Sequence, residues 1–442
     1  MKFKILCDGE KTYYYDNMTS EIFDENNNKL KFKKTKHYTE TKAPSFSKEN
    51  PLIGKSQSPQ VIKIQLGFSC NQSCTYCSQR FVPNGDYANV KRVETFLHGI
   101  DNWLSADAPK QFAFWGGEPF VYWKMMKPLA EGLRRRYPKA KFFTTTNGTL
   151  LTKEIVDWLD SIGMYITLSH DGPGQKHRGY DVLEENGEVI SYLFDKLGPT
   201  NRVGFYTVMH SDNKDRGAIQ KWFEEKCGHL LSPNFKMDST FLRVYSDESK
   251  ILAHMTEEEH QECRYNTIDQ IMNGKVDRFK CTHNLINEWI ESFQNERPAD
   301  ILGQTCSMDK QEVLTVDLYG NVLTCQNTTI EAVAENGESH KIGHLSKLDK
   351  VSLSTSSHWS VREECVKCPV LQTCRGSCMY LQNDYFKATC DLAYTHHIPH
   401  MAAAFRQITG FTPKYIQAMD NSLPHDRQNL WGLKEVENNE CV

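Results

Sequence analysis

The sequence predicts an α/β fold built on a parallel sheet, either an open sheet or an incomplete barrel, followed by a cysteine-rich region. Three observations predict it. Strand-like and helix-like stretches alternate from residue 61 to about 250. Polar clusters recur just after the strand-like stretches, and ten of the fifteen cysteines fall into two tight sets separated by a long stretch poor in Cys.

Residues 1–57 read as a small β-rich appendage and linker. "KFKILCDG", "KTYYYDN" and "KLKFKK" are short strand candidates around the Asn-rich turn "DENNN", and "KAPSFSKENPLIGKSQSP" is the linker. Over 58–255 six strands are expected: "VIKIQL", "QFAFWG", "KFFTTTN", "YITLSHD", "RVGFYTVM" and "FLRVYS". Helical patterns such as "KRVETFLHGIDNWLSA", "KEIVDWLDSIG" and "GAIQKWFEEKCG" fill the intervals, so the strands run parallel with crossover helices. Sites in such folds form at the carboxyl ends of the strands, where a Cys set, "GGEP", "NGT" and "HDGPG" follow the first four strands. Four loops therefore converge on one mouth. Residues 256–300 form a helical connection, with "TEEEHQECRYNTIDQIMNG" and "HNLINEWIESFQNE". Residues 301–442 hold the second cysteine set, the helical "IPHMAAAFRQITG" and a polar tail.

Composition excludes several classes. With 442 residues, 39% hydrophobic and 24% charged, the chain can bury one large core or two smaller ones. No apolar run reaches the roughly 18 residues of a membrane span, and "MKFKILCDGEKTYYYDN" lacks a secretory h-region, so the expected location is the cytoplasm. A net charge of −4 exerts no pull on nucleic acid, and "LRRRYPKAK" and "KFKKTKH" read as solvated faces. Fifteen cysteines in a reducing compartment point to metal ligation rather than a disulfide framework. Cys7, Cys227, Cys263, Cys281 and Cys441 are scattered and read as core or unliganded thiols.

The first set, "SCNQSCTYC", places Cys70, Cys74 and Cys77 in C-x3-C-x2-C spacing among polar residues. Structural zinc normally takes four protein ligands, whereas three thiolates on a cubane cluster leave one iron open for an outside ligand. A three-Cys zinc site completed from afar is the alternative. At these residues the sequence resembles the radical S-adenosylmethionine (SAM) superfamily. The resemblance covers about 60–250 and implies a partial (β/α)6 barrel. It also implies a 4Fe-4S cluster on Cys70, Cys74 and Cys77, whose open iron is chelated by the amino and carboxylate groups of SAM. Electron transfer then cleaves SAM to a 5′-deoxyadenosyl radical that abstracts hydrogen from substrate. "GGEP", Gly116, Gly117, Glu118 and Pro119, matches the family's glycine-rich strand end, where Glu118 is implied to hold the SAM amino group. Asn147 and Ser169 match positions that contact the SAM ribose or carboxylate. "DGPGQKHR", Asp171 to Arg178, resembles a stretch common in peptide-modifying branches.

The second set reads C-x13-G-x4-C and then C-x2-C-x5-C-x3-C-x11-C. Seven thiolates exceed one tetrahedral ion, so two metal centres are expected, with a two-zinc ribbon as the alternative on spacing alone. The pattern resembles the SPASM domain, which implies two auxiliary 4Fe-4S clusters. Cys365, Cys368, Cys374 and Cys390 would bind one, and Cys306, Cys325 and Cys378 the other. The fourth ligand of the latter is either absent or Cys281.

SPASM enzymes mostly modify ribosomally made peptides, or a Cys or Ser in a protein. Sulfatase-maturing relatives carry Asp just after the second Cys of the domain, where it accepts a proton; here that residue is Gln326, which disfavours that reaction. His170, Asp171 and His210, with Asp212, are candidate bases near the mouth, set against roles as caps or turn formers. The His residues of "THHIPH" read as a packed or solvated cluster. The expected function is a radical SAM oxidase or cross-linking enzyme acting on a precursor peptide. A separate leader-binding protein is an expected partner, because the appendage is shorter than a complete leader-recognition domain. Flavodoxin or ferredoxin is the expected electron donor. The alternatives are a SPASM enzyme acting on a small molecule or nucleotide, and a non-catalytic iron–sulfur scaffold.

Overall fold

The computed structural model describes residues 1–38, 52–83, 89–104, 109–229, 237–335, 337–354 and 357–430. Part of the linker, at 42–51, and the polar tail with Cys441 lie outside the described residues.

Six parallel strands form the expected barrel sheet: β5 (Val61–Gln65), β6 (Gln111–Trp115), β7 (Lys141–Thr146), β8 (Met164–Ser169), β9 (Val203–Met209) and β10 (Asp238–Phe241). The apolar alternation decides their orientation. Ile62, Ile64, Phe112, Phe114, Phe142, Ile166, Leu168 and Phe205 are at most 2% exposed and pack in one core with the helices Val90–Trp103, Trp123–Arg136, Lys153–Ser161 and Gly187–Leu197. The intervening residues, such as Lys63, Trp115, Thr145, Ser169 and Tyr206, face the opposite, inner side.

The sheet does not end at the barrel. β11 (Val313–Asp317) pairs parallel with β5, in register from Val313↔Val61 to Asp317↔Gln65. β12 (Asn321–Leu323) and β13 (Lys341–His344) follow it antiparallel, giving nine strands in the order β10-β9-β8-β7-β6-β5-β11-β12-β13. The cysteine-bearing C-terminal region is thereby bonded along the whole length of the first barrel strand.

The sixth strand is Asp238–Phe241, so the expected "FLRVYS" keeps only Phe241. Leu242 and Val244 are buried, which produces the apolar alternation, but the Val244 backbone N–H donates to Thr389 Oγ1 at 2.9 Å rather than to a strand. At the N-terminus, β1 (Lys2–Cys7) and β2 (Thr12–Asp16) form as expected, and the third strand is β3 (Ile22–Asp24), before the Asn-rich turn. "KLKFKK" makes only the single bridge Phe23↔Lys29, because Leu30 and Phe32 turn onto the second core. Lys34 and Lys36 pair with Glu296 and Glu291 at 2.7 and 3.0 Å. These N-terminal strands join β15 (Pro413–Ala418) in the order β15-β1-β2-β3 and pack on the helices Lys280–Asn295 and Asn383–Thr409. Within the linker, β4 (Leu52–Gly54) pairs antiparallel with β14 (Ser352–Ser354). Among the described residues, no helix is long and apolar enough to cross a membrane.

Candidate active site

The loop after β5 is held by three neighbouring loops. Gly117 N donates to Gly67 O and Glu118 N to Ser69 O, both at 3.0 Å. A Cβ on Gly117 would stand 2.4 Å from Phe68 O and 2.6 Å from Ser69 O, and one on Gly116 2.8 Å from Gly67 O, so this backbone contact demands glycine at both positions. Ser69 N donates to Tyr122 Oη at 2.7 Å.

Glu118 is 1% exposed, and its carboxylate accepts from Thr146 Oγ1 at 2.7 Å, Asn147 N at 2.8 Å and Phe120 N at 3.1 Å. Burial raises its pKa against the pull of these donors. The carboxylate expected to hold a SAM amino group thus also staples "GGEP" to "NGT". Asn147 continues the chain: its Nδ2 donates to Asn71 Oδ1 at 2.9 Å, and its Oδ1 accepts from Thr149 N at 3.0 Å. Asn71 lies within the Cys loop. Ser169 ends β8 on the inner side, opposite Tyr206.

"DGPGQKHR" grips the same loop from the other side. Thr75 N and Thr75 Oγ1 both donate to His177 O at 3.0 Å. Asp171 is fully buried; it accepts from Tyr76 Oη, accepts from Val208 N at 2.8 Å, and forms an ion pair with Arg178 Nε at 3.0 Å. Burial opposes the Arg178 charge, but Asp171, Tyr76 and Cys74 together hold its pKa above the usual value.

The candidate bases separate on this geometry. Asp171 is spent on Arg178, Tyr76 and the β9 backbone. His170 is fully buried, with Nε2 against Asp181 Oδ1 at 2.9 Å, Nδ1 accepting from Gly172 N at 3.0 Å, and its ring stacked on Trp222. Both side chains are thus engaged with neighbouring groups in this structure. Their motif position signalled the loop but not the direction of the side chains. His210 is also fully buried, with 6.0 Å between its ring centroid and that of Tyr76, and neither ring nitrogen has a hydrogen-bond partner among the described residues. Burial lowers its pKa to about 4, so the ring is neutral at pH 7. Asp212 pairs with His177 Nε2 at 3.1 Å.

The cysteines stand in three groups. Cys70, Cys74 and Cys77 lie close together: burial raises the Cys70 and Cys74 thiols, Cys74 to about 11, and the Cys77 thiol adds to both. Cys306, Cys325 and Cys378 form a second such group, with Cys325 pushed up to about 12 mainly by burial. Cys365, Cys368, Cys374 and Cys390 line one cavity with Leu371 and Phe386. All are free thiols. Cations flank each group: Arg178 acts on Cys74, Lys63 acts on Cys306 and Cys325, and both Nη atoms of Arg427 reach Cys390 Sγ at 3.8 Å. Thiols gathered in threes and fours beside cations fit anionic iron–sulfur clusters. Among the described residues, no three Cys, His, Asp or Glu groups converge tightly enough for a single metal ion.

Cys281 is placed elsewhere. Its thiol is 3.6 Å from Ser239 Oγ, and Ser239 points to the outer face of β10. Cys7, Cys227 and Cys263 are core thiols. The His residues of "THHIPH" lie inside the helix Asn383–Thr409, where His396 contacts Arg216 and His397 Nδ1 lies 3.0 Å from Thr373 Oγ1.

Two features went unread in the sequence. Asn17 is fully buried, and its Nδ2 donates to Val366 O at 2.8 Å and Cys368 O at 2.9 Å, so the N-terminal hairpin holds the four-Cys loop. Lys63 Nζ donates to Gln326 Oε1 at 3.1 Å, which joins β5 to the residue after Cys325. A lone Lys in a strand and a lone Asn in a turn carry no local signal of such contacts.

Residues 64–221 match the model of the radical SAM superfamily. The chain carries a radical SAM domain. Among characterised relatives, the cysteine-type anaerobic sulfatase-maturating enzyme of Clostridium perfringens (strain 13 / Type A) is 24% identical over 372 residues, covering 74% of this chain and 90% of the relative. The radical SAM cyclopropyl synthase TigE of Paramaledivibacter caminithermalis is 22% identical over 370 residues, covering 75% and 71%. Among solved structures, native anSMEcpe with bound AdoMet and Kp18Cys peptide superposes with a TM-score of 0.56 at 19% identity, covering 79% of this chain and 100% of that one. The chain is an enzyme related to the sulfatase maturases, and its radical SAM domain implies SAM and a 4Fe-4S cluster.

Proposed function

We propose that this radical SAM enzyme oxidatively modifies a ribosomally made peptide, by a cross-link or a related C–H functionalisation. The observation that carries the reading is one cavity of about 300 Å³ whose wall includes Cys77 of the first Cys loop and Cys325 and Cys378 of the second group. A substrate seated there lies between the two thiol groups. The sulfatase-maturating relative solved with a peptide supports a peptide substrate by analogy.

In this reading Cys70, Cys74 and Cys77 hold a 4Fe-4S cluster, and Gly116, Gly117, Glu118, Pro119, Asn147 and Ser169 surround SAM. Two auxiliary clusters fall to Cys306, Cys325 and Cys378, and to Cys365, Cys368, Cys374 and Cys390, in a SPASM-like region over 301–442. When bound, the first cluster and SAM supply a 5′-deoxyadenosyl radical able to take hydrogen from an unactivated carbon. The chain's own contribution is to fix the loop: Gly117, Asn147, His177 and Arg178 hold its backbone and side chains from three directions. Gln326, held by the Lys63 ammonium, offers no carboxylate to accept a proton, which favours peptide chemistry other than the oxidation of a sulfatase Cys or Ser. His210, neutral and buried, is the remaining base candidate. Residues 1–24 supply three strands to the sheet β15-β1-β2-β3, of which β1 pairs with β15; in this reading the leader falls to a separate protein or another surface, and a cytoplasmic flavodoxin or ferredoxin supplies electrons.

The test is anaerobic. Reconstituted enzyme, SAM, reductant and the short peptide encoded beside the gene should yield 5′-deoxyadenosine and a peptide two hydrogens lighter by mass spectrometry. The Cys74→Ala enzyme should cleave no SAM yet retain auxiliary iron. Deoxyadenosine with an unchanged peptide, and turnover of a nucleotide instead, would overturn the peptide reading.

A further inference from the structure

The cavity beside Cys77 also has a chemical character. Three segments wall it: Ser78–Pro83 after the Cys loop, 325–335 after β12, and Cys378–Tyr385. Hydrogen bonds staple them together. Gln79 Nε2 donates to Asn327 Oδ1 at 3.2 Å, Thr329 Oγ1 to Pro83 O at 2.6 Å, and Asn383 Nδ2 to Glu335 Oε1 at 2.7 Å. The shape is therefore set by the fold before anything binds.

Its lining is apolar and aromatic. Phe81, Val333, Tyr245, Tyr380, Leu381 and Tyr385 line it beside the polar Ser78, Asn327, Thr328 and His340, and Glu335 is the one Asp, Glu, Lys or Arg side chain among the described residues that line it. Phe81 and Val333 stand at its walls 57% and 65% exposed, an unusual position for large apolar groups unless something covers them. A phosphate or carboxylate entering this space would meet aromatic faces and the Glu335 carboxylate and would lose its hydration; the Arg80 guanidinium, 5.3 Å from the Phe81 ring centroid, does not line it.

We propose that this cavity receives a large apolar side chain of the substrate peptide and selects against acidic residues at the same position. The inference rests on the peptide reading above and adds to it which residue class sits between the first Cys loop and the second thiol group. Phe81 and Val333 cover the ring or branched chain from opposite segments, and Glu335 repels an acidic competitor. Discrimination thus comes from attraction and repulsion together.

The test uses reconstituted holoenzyme with SAM and three probes followed by ligand-observed NMR titration: acetyl-Gly-Phe-Gly-amide, acetyl-Gly-Asp-Gly-amide and adenosine monophosphate. The Phe probe is expected to bind at least about tenfold more tightly than the Asp probe, about 1.4 kcal/mol. Val333→Asp and, on the facing segment, Phe81→Asp should each erase that preference while iron content and melting temperature match the parent enzyme. Two changes on different segments guard against a local folding defect. Equal affinity for the Phe and Asp probes, an unchanged preference in both variants, or displacement of the Phe probe by adenosine monophosphate would overturn the proposal. The peptide reading fails separately, by an unmodified precursor in the mass-spectrometric assay, so a Phe preference with no peptide product would sink that reading and leave the cavity's selectivity standing.

Discussion

Gly117 lies directly against the Phe68 carbonyl: a Cβ there would stand 2.4 Å from the oxygen. Two backbones from different strands touch at this point, and the Cys loop takes its course from the contact. Gly117→Ala must push the loop away, because both clashing atoms are main chain. The expected outcome is loss of SAM cleavage together with the iron held by the first Cys loop. Iron analysis and 5′-deoxyadenosine assay check it; parental values for both would remove the loop-setting role.

Asp171→Asn leaves the Arg178 guanidinium buried without its carboxylate. Breaking a buried pair by removing one partner costs about 3 kcal/mol or more. Chemical denaturation should show that loss, accompanied by a weaker first cluster. A control at His170→Gln should lower stability through the lost Asp181 contact but leave SAM cleavage within a few-fold of parent, since His170 points into the core. Abolished cleavage in a stable His170→Gln enzyme would return that residue to the catalytic candidates.

Asn17→Ala removes two hydrogen bonds to the four-Cys loop, at Val366 O and Cys368 O. Leaving buried carbonyls without a donor costs about 1–3 kcal/mol. Iron bound at Cys365, Cys368, Cys374 and Cys390 should fall while the first cluster still cleaves SAM, as read by iron content beside deoxyadenosine yield. Full auxiliary iron in the variant would show that the hairpin is dispensable for that loop.

Cys281→Ala should keep the parent's iron and electron paramagnetic resonance spectra, whereas Cys378→Ala should lose the signal of one auxiliary cluster. The basis is placement: Cys281 sits by Ser239 outside the barrel, and Cys378 sits with Cys306 and Cys325. Iron loss in Cys281→Ala would make it a ligand after all.

Acid should destabilise the fold through its buried histidines. Burial lowers the His260 pKa from 6.5 to about 4, so the folded protein keeps this ring neutral while the unfolded chain protonates it. The unfolded state binds more protons between these values; stability is therefore complete above pH 6.5 and declines as the pH falls toward 4. His260→Gln should flatten this decline by about 3 kcal/mol over that window, measured by urea denaturation at a series of pH values. An unchanged slope would rule out His260 as a contributor.

Several elements were legible because their signals are local. The alternation in "VIKIQL" and "KFFTTTN" marks half-buried strands, and a strand's period of two needs no distant partner to be read. The C-x3-C-x2-C loop and "GGEP" carry their spacing in a few residues. By contrast, "KLKFKK" and "FLRVYS" alternate as strands should, yet Leu30 and Phe32 are half-buried against the second core and buried Val244 gives its backbone N–H to Thr389, well over a hundred residues later. Periodicity reports burial on one side, not what does the burying.

The sequence by itself determined the parallel α/β plan, the two cysteine sets and the loops that gather at the strand ends, because each depends on neighbours along the chain. Only the tertiary structure decided that β11 extends the barrel through β5, that Asn17 clasps the four-Cys loop from 349 residues away, and that Asp171 and His170 turn inward. Those outcomes depend on which side chains meet across the fold. A contact between distant segments is set by the packing of everything between them, and no short stretch of residues records it.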